Sequence, residues 1–467
     1  MASDSPQPPA WYKRSWTLVA ALIVLFAVMI LFYGRVIIQS DGITYYALTR
    51  SLVCDKNFDL TNEMGWIKDL RLRYTRDGRE VAVYSCGYAI LYAPMMALLN
   101  GHKTLDAWMP YAQNIFFPFG QSLAVFLNSV ILGLLAVYFG YRTARANGDP
   151  REKAVVISVG IFLGTTLAFY TFSAPSFPHV ADAFLTAASF LLILSPFRGR
   201  SVLLGFTLGM MVLLRNVNVV LLPPMVLVHL YLERKRKVHT IRFIILQLLL
   251  GALPTMVLQF YYNITQYGSV FLTGYGSAPS PAFSEFVSRM YRVMFRPSLG
   301  IFIWSPITFL GFVGLILGVI HRKPASVLGL VCVVIFLLTL SLFGLIYPGA
   351  SFGNRYFTLL FVFWVIGLSE LLQTRWKKVF GILAVVAVAW TLILFNAYYI
   401  VFASTTARRE LLEDLRTVTP AKELRLAGEV YANDQTGAGP LGLWLHSLGS
   451  YPYPSLLFIL FSDEPES

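Results

Sequence analysis

Directly after the first apolar block the chain reads Ser40-Asp41-Gly42-Ile43-Thr44-Tyr45-Tyr46. A carboxylate at the exit of a lipid-embedded helix is partly stripped of water. That strengthens its pull on a proton, as a general base requires, provided a cation keeps it ionised. Tyr45 follows four residues later and shares a face with Asp41 if the segment is helical, with Tyr46 beside it. The plain alternative is that Asp41 caps a helix running from Gly42 to Leu52. A second cluster, Ser173-Ala174-Pro175-Ser176-Phe177-Pro178-His179, runs on to Asp182. Three residues apart on a helix, His179 and Asp182 lie on one side, where they can pair, contact a substrate or share a cation. A capped helix start with a hydrogen-bonded histidine fits equally, and two residues alone do not make a metal site.

Two arginines stand where positive charge is unexpected. Arg355, followed by Tyr356, closes the glycine-containing turn that begins at Tyr347, and Arg215 sits beside Asn216 and Asn218 at the end of a short apolar stretch. A guanidinium there needs a local anion, a nearby acid or a phosphate that its planar fork can grip in two places. For Arg215, snorkelling to lipid headgroups is an equal alternative. Tyr267-Gly268 and Gly274-Tyr275-Gly276 form an aromatic, flexible stretch that suits sugars, although tyrosines also gather at membrane interfaces whatever the function.

The elements that must hold these residues follow from composition. Of 467 residues, 57% are hydrophobic and 13% charged, about half the charge of an average soluble domain. The apolar residues fall into blocks of about twenty, long enough to cross a ~30 Å hydrocarbon core as helices, the form that satisfies its own backbone in lipid. About eleven spans are expected, from 16–38 to 379–402, in an all-α polytopic membrane protein. The thin neighbours 201–214 and 217–232 are kept as two crossings. Merging them would turn the basic stretches Glu233–Lys237 and Arg375–Lys378 outward, against the positive-inside bias. With Lys13 and Arg14 inside, the breaks at 142–153, 197–200, 233–242, 321–323 and 375–378 all fall in the cytoplasm and all are basic. This orientation predicts a cytoplasmic N-terminus and a 1–402 membrane domain in a cytoplasmic (inner) membrane. The large first extracytoplasmic loop (39–115) carries interfacial helices such as Gly87 to Leu99, a smaller loop spans 263–298, and an extracytoplasmic tail covers 403–467, with Arg408 to Leu415 as an amphipathic helix.

The net charge of +13 is explained by these breaks, so nucleic-acid binding is not inferred. The first apolar block is long and lacks a small-residue cleavage site, which reads as a retained anchor. Cys54 and Cys86 share the first loop, where a disulfide can form outside the cytoplasm, and Cys332 lies within a span. Gln121, Asn128, Gln247 and Gln259 are neutral and suit helix-to-helix contacts. The scarcity of midspan charge and the lack of an inverted repeat weigh against a transporter or flippase of lipid-linked saccharide. That reading and a non-catalytic lipid-binding role remain the alternatives.

In order, Asp41-x-x-x-Tyr45-Tyr46, Gly87-Tyr88-x-x-Leu91-Tyr92-x-Pro94, Phe177-Pro178-His179, Leu299-Gly300-Ile301-Phe302-x-x-Ser305-Pro306 and Phe352-Gly353-x-Arg355-Tyr356 resemble the GT-C type of integral-membrane glycosyltransferases. That group contains the protein O-mannosyltransferases and bacterial aminoarabinose transferases, and the likeness covers most of 16–402. The resemblance implies a sugar donor on a polyprenyl phosphate, transfer to a lipid, glycan or protein acceptor at the extracytoplasmic face, and inversion at the anomeric carbon. Asp41 aligns with the loop acid taken as general base. Arg355, Arg215 and His179 are candidates for the departing phosphate, and Tyr45, Tyr46, Asp182, Tyr275 and Tyr356 for substrate contact. The sequence departs from many relatives in placing Gly42 after Asp41 rather than a second acid, and Ser85-Cys86-Gly87-Tyr88 where a proline-rich turn is frequent. A Mg²⁺ or Mn²⁺ ion would want two or more carboxylates, with Asp182 as the second.

Overall fold

A computed structural model describes residues 10–64, 67, 70, 72–74, 80–101, 117–236, 240–272, 274, 283–297, 300–343, 352–403, 420, 422 and 425–426. Tyr275, the first part of the turn before Phe352, and almost all of the C-terminal tail lie outside them.

The architecture is helical. In chain order the helices are α1 (Ala10–Tyr33), α2 (Asp41–Arg50), α3 (Thr61–Met64), α4 (Gly87–Leu99), α5 (Phe119–Ala146), α6 (Arg151–Leu163), α7 (Thr166–Phe172), α8 (His179–Leu194), α9 (Arg200–Leu214), α10 (Leu222–Arg236), α11 (Ile241–Tyr267), α12 (Phe283–Phe295), α13 (Ile301–Trp304), α14 (Ile307–Ile320), α15 (Pro324–Leu342), α16 (Phe361–Leu371) and α17 (Lys377–Ala403). One feature departs from an all-α chain. In the first loop, β1 (Leu72–Tyr74) and β2 (Glu80–Ala82) pair antiparallel, Arg73 opposite Val81.

Among the described residues five helices are long and apolar enough to cross a membrane alone: α5, the run Asn216–Arg236, α11, α15 and Lys377–Tyr399 of α17. The bent pair α6 and α7, which turns by 74°, makes six. The protein is a multi-pass membrane protein; length and composition alone carry five or six crossings among the described residues, short of the eleven expected, and five further apolar helices of 10–17 residues fall below that length. The other apolar helices are shorter because the chain breaks where apolar runs look continuous. The expected span 299–319 divides at Ser305-Pro306 into α13 and α14, and 154–172 divides at Gly164-Thr165, where the Thr165 hydroxyl caps α7 by accepting from the Leu167 amide. The neighbours 201–214 and 217–232 are distinct elements, separated by extended backbone at Arg215.

α5, α8 and α16 form the interior, and α16 is buried along its whole length. Close approach of α14 and α16 depends on glycine: a Cβ on Gly314 would sit 1.8 Å from the Gly367 carbonyl oxygen. α11 and α17 are mostly exposed, presenting Leu246, Leu249, Leu250 and Val385, Val386 outward as lipid-facing apolar surface. Of the neutral polar residues named from the sequence, Gln121 and Asn128 act across helices. Tyr46 donates to Gln121, Gln121 donates to Asn100 at 2.8 Å, and Asn128 donates to the Tyr92 carbonyl at 3.3 Å. Cys54 is exposed and Cys86 buried, and both are free thiols. The two therefore form no disulfide.

Helix direction sorts the charges to two ends. Lys323 pairs with Glu370 at 2.6 Å, Lys153 with Asp149 at 2.7 Å, and Arg200 and Arg236 share Glu233. All lie at the end where α8 finishes and α9 starts. The other end holds the starts of α2 and α8 and the residues singled out for chemistry.

Candidate functional site

Four chain breaks meet at that end. After α1, residues 34–40 run extended beside the end of α7. The Arg35 amide donates to the Phe172 carbonyl at 2.8 Å, the Ser173 hydroxyl to the Tyr33 carbonyl at 2.9 Å, and the Gln39 amide to Ser176 Oγ at 3.2 Å. Ser40 has φ +52, a conformation costly for a residue with a side chain, of the kind retained where the surroundings over-determine the backbone. It turns the chain so that Asp41 begins α2.

Gly42 makes this docking possible. A Cβ there would lie 2.1 Å from Ser176 Oγ and 2.8 Å from its carbonyl oxygen. A second acid after Asp41, frequent in the group the sequence resembles, has no room here. Gly42→Val is therefore expected to displace Asp41 from its neighbours and cost about 1–3 kcal/mol of stability through overpacking. Thermal unfolding of the purified variant checks this, and an unchanged midpoint would mean that the contact with Ser176 is not tight.

Asp41 Oδ2 accepts from Arg355 Nη2 at 2.6 Å, joining residues 314 positions apart. The Asp41 side chain is 20% exposed and that of Arg355 8%. Asp41 Oδ1 has no hydrogen-bond partner among the described residues, and neither has the buried Arg355 Nε. The Arg355 guanidinium also lies 4.8 Å from the Phe177 ring and 5.9 Å from that of Tyr356. Asn354, whose side chain accepts from the Tyr356 amide, starts the turn of 3-10 helix that presents Arg355.

Arg215 approaches the Tyr356 ring at 5.0 Å from the break between α9 and α10. Tyr356 thus lies between two guanidinium groups, a cation–π arrangement. Arg215 Nη1 donates to Asp182 Oδ2 at 3.0 Å, and Asn218 Nδ2 donates to Asp182 Oδ1 at 2.7 Å, with Asp182 fully buried. His179 packs among the rings of Tyr170 (5.1 Å), Phe177 (6.0 Å) and Tyr356 (6.2 Å), its Nδ1 buried without a partner among the described residues.

The structure therefore brings together Asp41, Arg355, Tyr356, His179, Arg215 and Asp182. Of the possibilities raised for His179 and Asp182, a direct pair does not form, because Arg215 and Asn218 hold both carboxylate oxygens. The local anions that the two arginines required are Asp41 and Asp182. Tyr45 stacks on Tyr84 at 4.5 Å and meets Tyr88 at 4.9 Å, while Tyr46 turns to Gln121 and to Phe117 at 4.6 Å. Both are buried and pack α2 against α4 and α5. Ser176 within the second cluster and Asn218 beside Arg215 are visible in the sequence, but sequence reasoning gives neither a part in the site. Asn218 had a signal, an amide in an otherwise apolar run, whereas Ser176 had none.

Asp41 and Asp182, the proposed pair of carboxylates for a divalent cation, do not fit one. Each is matched to an arginine that occupies the place and charge a metal would take. Among the described residues no three His, Cys, Asp or Glu side chains gather in a metal-binding group. A 480 Å³ cavity lined by Phe58, Asp59, Tyr261 and Gln266 opens at the same end of the molecule, by the far end of α2.

No protein-family model matches the sequence, and neither does any curated protein. Solved structures do match. Similar structures include ArnT from Cupriavidus metallidurans in the apo state, with a TM-score of 0.52 at 14% identity over 94% of this chain and 77% of that one. The same protein bound to undecaprenyl phosphate gives 0.50 at 14% over 93% and 77%. The apo oligosaccharyltransferase of Archaeoglobus fulgidus gives 0.43 at 12% over 96% and 57%. The likeness to ArnT, at 14% identity, is one of fold.

Proposed function

We propose that the protein is a GT-C-type membrane glycosyltransferase that moves a sugar from a polyprenyl phosphate to an acceptor hydroxyl at the extracytoplasmic face. The observation that carries this reading is the Asp41–Arg355 pair at 2.6 Å, with one carboxylate oxygen unengaged among the described residues. It is supported by the fold shared with ArnT, a protein whose structure holds undecaprenyl phosphate.

In this mechanism Arg355 fixes the carboxylate, and Oδ1 of Asp41 takes the proton of the acceptor hydroxyl as its oxygen attacks the anomeric carbon. The new carbon–oxygen bond forms while the bond from that carbon to the phosphate oxygen breaks. The electron pair leaves with the polyprenyl phosphate, which needs no proton donor. The N–H groups of Arg355, the Arg215 charge and the His179 ring lie close together and would stabilise that developing charge. A single displacement with one base inverts the configuration.

The test is reconstitution of the full chain in vesicles with a polyprenyl-phosphate sugar, following transfer to added acceptors and the anomeric configuration of the product. Inverted product is expected. Translocation of the donor across the vesicle membrane without transfer would replace this reading with a flippase. Arg355→Ala should lower turnover by a factor on the order of 10²–10³, the loss found when one preorganised donor to a developing anion is removed. Turnover equal to the parent would remove Arg355 from the phosphate.

A further inference from the structure

At the end of the bundle away from Asp41, the connection from α8 to α9 folds over a 280 Å³ pocket whose lining includes Phe197, Arg198, Arg200, Glu233, Arg236 and Gln247. Three arginines face one carboxylate. Glu233 Oε1 accepts from both Arg200 and Arg236, and Arg198 is exposed with no ion pair among the described residues, so the pocket carries an uncompensated positive charge. Arg200 is 5% exposed. Its Nη1 donates to the Ser195 carbonyl at 3.0 Å and its Nη2 to Glu233, while its Nε is buried without a partner among the described residues. A buried donor left unsatisfied calls for an explanation, a bound ion among them. α9 starts at the same place, and Gly199, at φ +79, provides no side-chain cap, so the positive end of its dipole faces this pocket as well.

We propose that this pocket binds the phosphate of an anionic phospholipid from the leaflet that borders it. Basic pockets between membrane helices on the cytoplasmic side, the side expected here from loop charge, are suited to such headgroups. The rim favours a lipid over free phosphate. Phe197 is 44% exposed, and Gln247 sits on α11 among Leu246, Leu249 and Leu250, each more than half exposed. Acyl chains have apolar surface to lie on directly beside the guanidinium groups. The site stands apart from the glycosyl-transfer reading and does not depend on it.

The test is native mass spectrometry of the full chain released from detergent, with dioleoyl phosphatidylglycerol, dioleoyl phosphatidylcholine or inorganic phosphate added. Retention of phosphatidylglycerol over phosphatidylcholine by a factor on the order of ten is expected, from the attraction a few basic residues exert on an anionic headgroup. Arg198→Glu, at an exposed position, should abolish that preference while leaving the thermal midpoint unchanged. Equal retention of the two lipids, or a preference that survives Arg198→Glu, overturns the proposal. Inorganic phosphate adducts without a preference for the anionic lipid overturn the lipid assignment.

Discussion

Asp41→Asn is expected to lower the rate of glycosyl transfer by a factor of about 10²–10⁴, the usual contribution of a positioned general base. The amide is nearly isosteric with the carboxylate, and its oxygen can still accept from Arg355 Nη2, so the start of α2 keeps its place. What it loses is the capacity to take a proton on the second oxygen. The measurement pairs single-turnover transfer rates with thermal unfolding in the same detergent. A slow but stably folded variant supports Asp41 as the base. A variant as fast as the parent removes it from that role while leaving the fold untouched. Asp41→Glu adds a control: it keeps the charge but displaces the carboxylate by a methylene from the Arg355 fork, and should retain more activity than the amide.

Arg215→Met should destabilise the protein by about 3–5 kcal/mol, because it strands the Asp182 carboxylate in the interior without its cation. Asp182 is fully buried and the Arg215 side chain only 7% exposed, so solvent cannot take over the lost partner. Asn218 Nδ2 would remain as the single donor. Removing the charge from both sides, as Asp182→Leu with Arg215→Met, should recover much of the loss, since replacing a buried pair by apolar groups is often close to neutral. Unfolding of the two single variants and the double variant forms a cycle. Losses that simply add would show that the two groups are not coupled.

The membrane assignment was legible because it rests on a summed property. Apolar blocks and basic breaks persist over hundreds of residues, and the structure places those breaks at one end. Helix limits were not legible. Hydropathy averages over the very residues that interrupt a helix, so Ser305-Pro306 and Gly164-Thr165 vanish inside apolar runs although each ends a helix. The short strands Leu72–Tyr74 and Glu80–Ala82 were missed because three residues are too few for an alternating pattern to register.

At the site, the demand of Arg355 for an anion followed from its position, but sequence could not say that Asp41 was the anion, since tertiary contact alone joins positions 314 apart. The spacing of His179 and Asp182 correctly placed them on one helix. It could not foresee that a charged donor from the next helix would outcompete an imidazole for the carboxylate. Gly42 read as a departure from the pattern, and only the crowding against Ser176 makes it a requirement.

The breaks also set the dimensions of the molecule. α9, with 15 residues, rises about 22 Å, well short of a ~30 Å hydrocarbon slab. Thinning of the surrounding lipid sheet is one way such a short helix is met. Under the glycosyl-transfer reading proposed above, a surface that dips there would bring a carrier headgroup down to Arg215 and Arg355 without any hinge or gate having to swing. Access would then be set by the local thickness of the bilayer.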